Sequence, residues 1–203
     1  MALLLLLLSV SMSSVYAYTN TRYGFSIEPP SGWAVDDKVS FAAVVFYGPI
    51  EEDFRVNVNV QVESTSVSLA QYISSSKTNL ETLESYQLLS EAPRTINGVD
   101  AYELVLKFSY SGTIVQEKIV ALLKDGKAFV VVYAALPTTY QTYLNAFESS
   151  VQTFKVEPGL GWWIWAIIVA VIVGVAVAAV FALRRRKRPP IPPPQQPPMP
   201  SGP

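Results

Sequence analysis

Few residues of this 203-residue chain have the type and spacing that catalysis needs. The segment Ser74-Ser75-Ser76-Lys77 fits the pattern S-x-x-K, in which a lysine one helical turn from a serine can act as its base. The S-D-N and K-T-G segments that complete such active sites are absent, and both residues fall on the polar side of a predicted helix. The sequence has no histidine and no cysteine, which excludes imidazole bases, thiol nucleophiles and disulfides. We therefore expect a solvated helix face here and a protein that is not an enzyme.

Acidic residues form the best candidate for a metal site. Glu51, Glu52 and Asp53 follow one another in a predicted loop between strands. Because Ca²⁺ prefers several oxygen ligands that converge from loops, these three residues are the candidate ligands of a weak calcium site. The alternative is a charged loop that keeps a sheet edge soluble. EF-hand spacing and a glycine-rich phosphate loop are both absent, and no other cofactor is predicted.

Charge divides the chain into two parts. Residues 1–158 contain all sixteen acidic residues and ten basic ones, a net charge of −6, which argues against nucleic acid as a partner. The other five basic residues follow an uncharged, apolar segment, residues 162–183. As a helix this segment would span about 33 Å, which matches the hydrocarbon core of a bilayer. The sequence therefore predicts one transmembrane helix.

The flanks of this segment predict its orientation. Tryptophans favour the headgroup region and basic residues stay in the cytoplasm. The first end carries Trp162, Trp163 and Trp165, and the second is followed by Arg184, Arg185, Arg186, Lys187 and Arg188. Residues 1–17 contain six consecutive leucines followed by small residues and predict a signal peptide. Both signals predict a single-pass type I protein of the cell membrane, with residues 18–158 outside and residues 184–203 in the cytoplasm.

Two association sites are predicted beyond residue 158. Small residues recur at every fourth position of the span, which lets two helices approach closely and would support a homodimer or a partner helix. They are Ala166, Ala170, Gly174, Ala178 and Ala182. Alanine-rich spans also produce such ladders by chance.

The second association site lies in the tail, where nine of the last fifteen residues are proline, so that an extended, disordered segment is predicted. Arg186, Pro189 and Pro192 fit the basic-x-x-P-x-x-P pattern of ligands for cytoplasmic proline-reading domains. Membrane topology alone also explains the basic run that precedes the prolines.

The segment between the signal peptide and the span has a strand-rich pattern. Apolar and polar residues alternate over residues 54–63, which predicts a strand with one buried face, and the apolar run over residues 41–47 predicts a buried strand. Asn97-Gly98 and Asp125-Gly126 separate further strand-like runs and predict tight β-hairpins. These runs predict an antiparallel sheet.

Two amphipathic helices interrupt the strands. Ser68 and Gln71 form a capping box at the start of the first helix, which is predicted to continue to about Ser85. Thr138 and Gln141 form a second such pair before the second helix. Neither helix can bury its apolar stripe alone, so both must pack against the sheet, and the predicted class is α+β.

Five segments of this domain, in their order, carry a family resemblance. Residues 23–33 read Tyr-Gly-Phe-Ser-Ile-Glu-Pro-Pro-Ser-Gly-Trp, and further matches lie at residues 56–60, 97–103, 124–127 and 143–154. They resemble the PsbP-like family, which includes the extrinsic oxygen-evolving subunit of photosystem II and the DcrB lipoproteins. The resemblance covers about residues 18–156 and implies an antiparallel sheet flanked by helices, an α-β-α sandwich. It also implies an accessory or binding role outside the cytoplasm, without the family's metal sites, since those involve histidines.

These observations predict a non-enzymatic, single-pass membrane protein. Its PsbP-like domain outside the cytoplasm would bind or stabilise a partner protein complex. The alternative is a membrane-tethered sensor that binds a ligand or calcium and signals through dimerisation of the transmembrane helix.

Overall fold

Ten strands and two helices make up residues 16–157, the part of the chain that the computed structural model describes. The strands are β1 (Tyr18–Asn20), β2 (Phe25–Ile27), β3 (Ala34–Asp36), β4 (Val44–Glu51), β5 (Phe54–Ser64), β6 (Gln87–Ile96), β7 (Val99–Tyr110), β8 (Thr113–Lys124), β9 (Lys127–Ala135) and β10 (Lys155–Val156). The helices are α1 (Leu69–Leu80) and α2 (Tyr140–Gln152). The predicted α+β class, with antiparallel strands and two helices, is confirmed.

The strands form two antiparallel sheets. The main sheet has seven strands in the order β3-β4-β5-β9-β8-β7-β6, and a small sheet has the order β1-β2-β10. The turns at Asn97-Gly98 and Asp125-Gly126 have positive φ at both central residues. That geometry matches the right-handed twist of the strands they join, as the sequence predicts.

One face of the main sheet is closed by α2 and the small sheet. The alternating valines of β5 point into this closed face, together with apolar residues of β9 and α2. Phe147 of α2 stacks on Tyr133 of β9 with ring centroids 5.4 Å apart, and Tyr133 donates a 2.7 Å hydrogen bond to the backbone oxygen of Tyr140. Phe25 of the small sheet stacks on Phe154 at 5.5 Å. The large core of the domain therefore lies on this face.

A network of four charged residues fastens α2 to the closed face. The guanidinium of Arg94 in β6 contacts Glu103 at 2.9 Å and Glu148 of α2 at 3.1 Å. The ammonium of Lys118 in β8 contacts the same two carboxylates at 3.2 and 2.6 Å. Two positive and two negative charges thus compensate one another beside the core.

The opposite face, which we call the open face, is covered only in part by α1. Of the residues of α1, only Ile73 is buried. A smaller cluster of apolar residues lies beneath the helix and the turn that follows it, including Leu104 and Leu106 of β7. The sandwich is therefore unequal, with a dense core on one side and a loosely covered sheet on the other.

Three boundaries differ from the predictions. Strand β4 begins at Val44 rather than Phe41, whose ring is 63% exposed on the open side of the sheet. Helix α1 ends at Leu80, and Ser85 adopts a positive φ of 55° in the turn that leads into β6. The N-cap of α2 is Thr139, not Thr138, and its side chain makes no capping hydrogen bond, because packing of Tyr140 and Phe147 holds the helix instead.

Within residues 16–157, neither helix has the length and apolar character that a membrane span requires. The predicted span (162–183) and tail (184–203) lie outside the described residues, as does the predicted signal peptide up to residue 15.

Candidate ligand-binding cleft

A cleft of about 620 Å³ opens between α1 and the open face of the main sheet. Strands β4, β5, β9, β8 and β7 supply its floor, and α1 supplies one wall. The cleft exists because a single helix of 12 residues cannot cover a seven-stranded sheet. Nothing corresponding to the small sheet covers this side among the described residues.

The residues that line the cleft are predominantly apolar. They include Val45, Phe54, Leu80, Leu104, Phe108 and Val132. Phe41 and Tyr110 also line the cleft, and their side chains are 63% and 65% exposed. Large apolar side chains that remain exposed beside a cavity are a common feature of binding sites.

Three side-chain amides run along the floor on β5. Asn57, Asn59 and Gln61 occupy alternate positions and therefore point to the same face. The amide nitrogen of Gln61 donates to Oδ1 of Asn59 at 3.1 Å, and the nitrogen of Asn59 donates to Oδ1 of Asn57 at 3.3 Å. Each amide keeps hydrogen-bonding capacity beyond this ladder. The floor thus offers both donors and acceptors to a bound molecule.

Glu117 of β8 is the acidic group of the cleft. In the sheet register it pairs with Ala134 of β9, which in turn pairs with Asn57 of β5. Glu117 and Asn57 therefore lie in one row, two strands or about 10 Å apart, with only a small alanine between them. This alanine leaves open space over the floor between the two polar groups.

The carboxyl of Glu117 makes no hydrogen bond or ion pair with any residue in 16–157, although its side chain is only partly exposed. Burial raises the pKa of Glu117 to about 7. Partial removal of a carboxyl from water, with no cation beside it, disfavours its charged form. Perturbed groups of this kind in a concave site are typical of functional residues.

The S-x-x-K serine and lysine lie beside a second cavity, of about 590 Å³, on the other side of α1. The Lys77 ammonium donates to both carboxylate oxygens of Glu91 on β6, at 2.9 and 2.8 Å. The hydrogen bonds to Glu91 raise the pKa of Lys77. A protonated lysine that is engaged in this way cannot act as a base for Ser74.

The three candidate calcium ligands lie in and next to the β4–β5 hairpin turn. Glu52 and Asp53 have positive φ values of 48° and 67°, and the carboxylate of Glu51 accepts a hydrogen bond from the Tyr143 hydroxyl of α2. No group of three or more acidic side chains within residues 16–157 is arranged to hold a metal ion. The geometry therefore gives the calcium prediction no support.

The remaining predicted site residues fall outside the described residues. They are the small-residue ladder of the span (Ala166, Ala170, Gly174, Ala178 and Ala182), the basic run 184–188, and the tail motif with Arg186, Pro189 and Pro192. These sites stay predictions.

The polar groups of the cleft were missed in the sequence because they alternate with apolar residues. The amides of β5 have the pattern of an ordinary solvent-facing side. Glu117 carried a usable signal, since it shares one strand face with Val115, Ile119 and Ala121. When one acidic residue occurs on a strand face that is otherwise apolar, its side chain is expected to be buried or half-buried.

Comparisons with known proteins show the fold. No protein-family model matches the chain, and no curated protein matches it. Solved structures with the same fold include PsbP (CyanoP) from Synechocystis, with a TM-score of 0.53 and 17% identity over 73% of this chain and 95% of that one. LpqN of Mycobacterium tuberculosis, described as involved in cell envelope biogenesis, has a TM-score of 0.54 and 18% identity over 66% and 83%.

A third structure, PA94 of Pseudomonas aeruginosa, has a TM-score of 0.54 and 15% identity over 70% of this chain and 97% of that one. At these identities the likeness establishes a shared PsbP-like fold. It does not indicate a ligand, because proteins that share one fold can have unrelated activities.

Proposed function

We propose that this chain is a non-enzymatic binding protein whose open-face cleft receives a small, largely apolar ligand. The observation that carries the proposal is the partly buried Glu117 carboxyl, which lines the cleft and has no partner among residues 16–157. A carboxyl that is partly removed from water carries a free-energy cost when no hydrogen bond within the protein compensates for the lost hydration. A ligand that supplies the missing partner would recover this free energy.

The dimensions of the cleft support a small molecule rather than a protein segment. Its volume of about 620 Å³ falls within the range of about 300–1,000 Å³ that is typical of ligand pockets. Apolar walls would give affinity, and the amide ladder with Glu117 would orient the ligand. Of the two functions that the sequence predicts, the geometry thus favours the ligand-binding sensor.

The chemistry of the site supports a binding role rather than catalysis. The lysine of the S-x-x-K segment is tied to Glu91, and the cleft contains a single carboxyl among its described lining residues. Glycoside hydrolysis, the reaction most often carried by carboxyl groups alone, needs a pair of them. Among the described residues that line the cleft, Glu117 thus has no second carboxyl with which to form such a pair.

The membrane features remain part of the proposal. The signal peptide and the span over residues 162–183 would present the domain outside the membrane, and the small-residue ladder would allow a dimer that reports ligand binding to the cytoplasmic tail. A partner protein complex is the second candidate. It is favoured by the exposed Phe41 and Tyr110 side chains, which could form a contact surface beside the cleft.

Isothermal titration of the full-length chain in phosphatidylcholine nanodiscs tests the cleft. The probe is tryptophol, a water-soluble, neutral indole, and empty nanodiscs give the background. We expect saturable binding to the wild type and its loss in Ala134→Phe, which fills the floor. Ala34→Phe, on the exposed strand β3, makes the same change outside the cleft and should leave binding intact. Equal binding by Ala134→Phe would contradict the proposed function, as would the absence of saturable binding both by tryptophol and by charged indoles of similar size.

A further inference from the structure

The charge of the cleft comes from one residue. Among the described residues that line it, Glu117 is the only acid, and there is no lysine or arginine. The other ionisable lining groups are phenols, which are uncharged at neutral pH. They come from three elements: Tyr47 of β4, Tyr72 of α1 and Tyr110 of β7. A carboxyl without a compensating cation among the described residues thus stands inside a largely apolar site.

The charged residues on β8 and at the edges of the cleft are turned away or occupied elsewhere. Lys118, the next residue of β8, lies on the closed face, where it pairs with Glu103 and Glu148. The Glu63 carboxylate of β5 accepts a hydrogen bond from the Tyr72 hydroxyl at the rim. The guanidinium of Arg55 stacks over the Tyr47 ring, 5.2 Å from its centroid. A cationic partner for Glu117 therefore has to come from outside residues 16–157.

We infer that the ligand of the open-face cleft is a small amine, with an aromatic or aliphatic body and one ammonium group that pairs with Glu117. This inference rests on the proposed function and names the chemical class of the ligand. The ammonium supplies three N–H donors to a carboxylate that otherwise has none. Because residues 16–157 carry a net charge of −6, the field of the domain also attracts cations and repels anions.

The register of the floor indicates how such a ligand would lie. Its ammonium would sit at Glu117, and its body would pass over Ala134 and Val132 towards the amides of β5. The distance from Glu117 to Asn57 is two strand spacings, about 10 Å. A body of about that length, with a hydrogen-bonding group at its far end, would reach the ladder. A bicyclic aromatic amine meets both requirements.

Binding of an amine should depend on pH in a defined direction. The pKa of Glu117 is raised to about 7 by burial, whereas an alkylammonium keeps its proton well above pH 8. Raising the pH from 6 to 8 therefore increases the carboxylate fraction of Glu117 without discharging the ligand. A neutral carboxyl that acted only as a hydrogen-bond donor would give the opposite trend.

Three indoles with similar bodies and different charges test the inference: tryptamine (cationic), tryptophol (neutral) and indole-3-acetate (anionic). Each is titrated into the full-length chain in phosphatidylcholine nanodiscs, with empty nanodiscs as the background. At pH 8 we expect tryptamine to bind at least about tenfold more tightly than tryptophol, and indole-3-acetate to bind most weakly. Between pH 8 and pH 6 the tryptamine affinity should fall about tenfold, while that of tryptophol changes little.

Two glutamate-to-glutamine variants make the test specific to the cleft. Glu117→Gln removes the charge with little change of shape and should abolish the preference for tryptamine. Glu28→Gln removes an exposed carboxylate beside the small sheet and should preserve that preference. If tryptophol binds the wild type as tightly as tryptamine, or if Glu117→Gln keeps the preference, the amine inference is wrong and the cleft function stands. If none of the three indoles binds saturably, both are wrong.

Discussion

The two faces of the main sheet each carry one helix, and they use it differently. On the closed face, α2 buries Tyr140, Phe147, Ser150 and Val151. On the open face, α1 buries Ile73 alone, and cavities lie on both sides of it. Both helices have a similar length, 13 and 12 residues, so length does not explain the difference. The closed face thus holds the larger packed core of the domain, whereas open space remains on the open face.

The charged groups follow the same division. On the closed face, Glu148 contacts Arg94 and Lys118 and is electrostatically compensated. On the open face, Glu117 stands without a partner within residues 16–157. Removing one member of the first network should weaken the fold, whereas neutralising Glu117 should strengthen it. An uncompensated carboxyl lowers the free energy of unfolding, and such local costs are expected at functional sites.

The largest difference between the faces should appear when each helix loses its most buried apolar side chain. Phe147→Ala removes a fully buried ring from the closed face and should lower the free energy of unfolding by about 3–5 kcal/mol. Ile73→Ala removes a side chain that already borders open space, so we expect a loss of about 2 kcal/mol or less. Urea unfolding of the full-length chain, followed by far-ultraviolet circular dichroism, measures both. Equal losses would show that the open face is packed as tightly as the closed one.

A finer version of this comparison uses two consecutive valines of β9, which point to opposite faces. Val131 is fully buried on the closed face, and Val130 lines the cleft. Val131→Ala should cost about 2–3 kcal/mol, because it loses about 1.6 kcal/mol of transfer free energy and creates a cavity. Val130→Ala should cost about 1 kcal/mol, since it enlarges a space that is already open. The same urea experiment applies, and a larger loss for Val130 would contradict the assignment of the two faces.

The pH dependence of stability should have opposite signs on the two faces. Burial raises the pKa of Glu117 to about 7, so the folded state binds a proton more tightly than the unfolded state. The contribution of this group is therefore most favourable below about pH 4.5 and is lost as the pH rises through 7. Glu117→Gln should raise the free energy of unfolding at pH 8 by about 2 kcal/mol, with allowance for partial solvent contact. At pH 4 it should have almost no effect.

Glu148 provides the matched carboxylate on the closed face. Burial alone would raise its pKa, but the hydrogen bond from Lys118 and the charge of Arg94 outweigh burial and lower it. Its stabilising contribution is present above about pH 4.5 and is lost as the pH falls through its folded pKa. Glu148→Gln should therefore lower the free energy of unfolding at pH 8 by about 1–2 kcal/mol. Effects of the same sign for the two variants would refute the contrast between paired and unpaired carboxylates.

The local elements of the fold could be predicted from the sequence more fully than the cleft. The alternation of β5, the two glycine turns and the capping box of α1 are local signals, and the structure confirms each of them. The cleft depends instead on non-local register, which places Glu117 of β8 beside Ala134 of β9 and in line with Asn57 of β5. A single sequence does not specify this strand order. The predicted capping pair of Thr138 and Gln141 failed for a related reason, since α2 begins after Thr139, without a side-chain capping hydrogen bond, where Tyr140 packs into the core.

The smallest expected difference between the two faces concerns the N-termini of α1 and α2. At α1, the backbone nitrogen of Gln71 donates to the Ser68 hydroxyl, and the Gln71 side chain accepts from the Ser68 nitrogen, which completes the capping box. At α2, the Thr139 side chain makes no capping hydrogen bond. Because α1 makes few contacts with the core, the capping hydrogen bond should contribute more to the stability of α1 than Thr139 contributes to that of α2.

We therefore expect Ser68→Ala to lower the free energy of local opening of α1 by about 1 kcal/mol, and Thr139→Ala to lower that of α2 by no more than about 0.5 kcal/mol. Amide hydrogen exchange of the full-length chain separates local from global opening. In Ser68→Ala, faster exchange should be confined to α1 and should leave β9 and α2 unchanged. Were exchange instead to accelerate throughout the sheet, α1 would be part of the cooperative core and could not serve as the loosely held wall of a cleft.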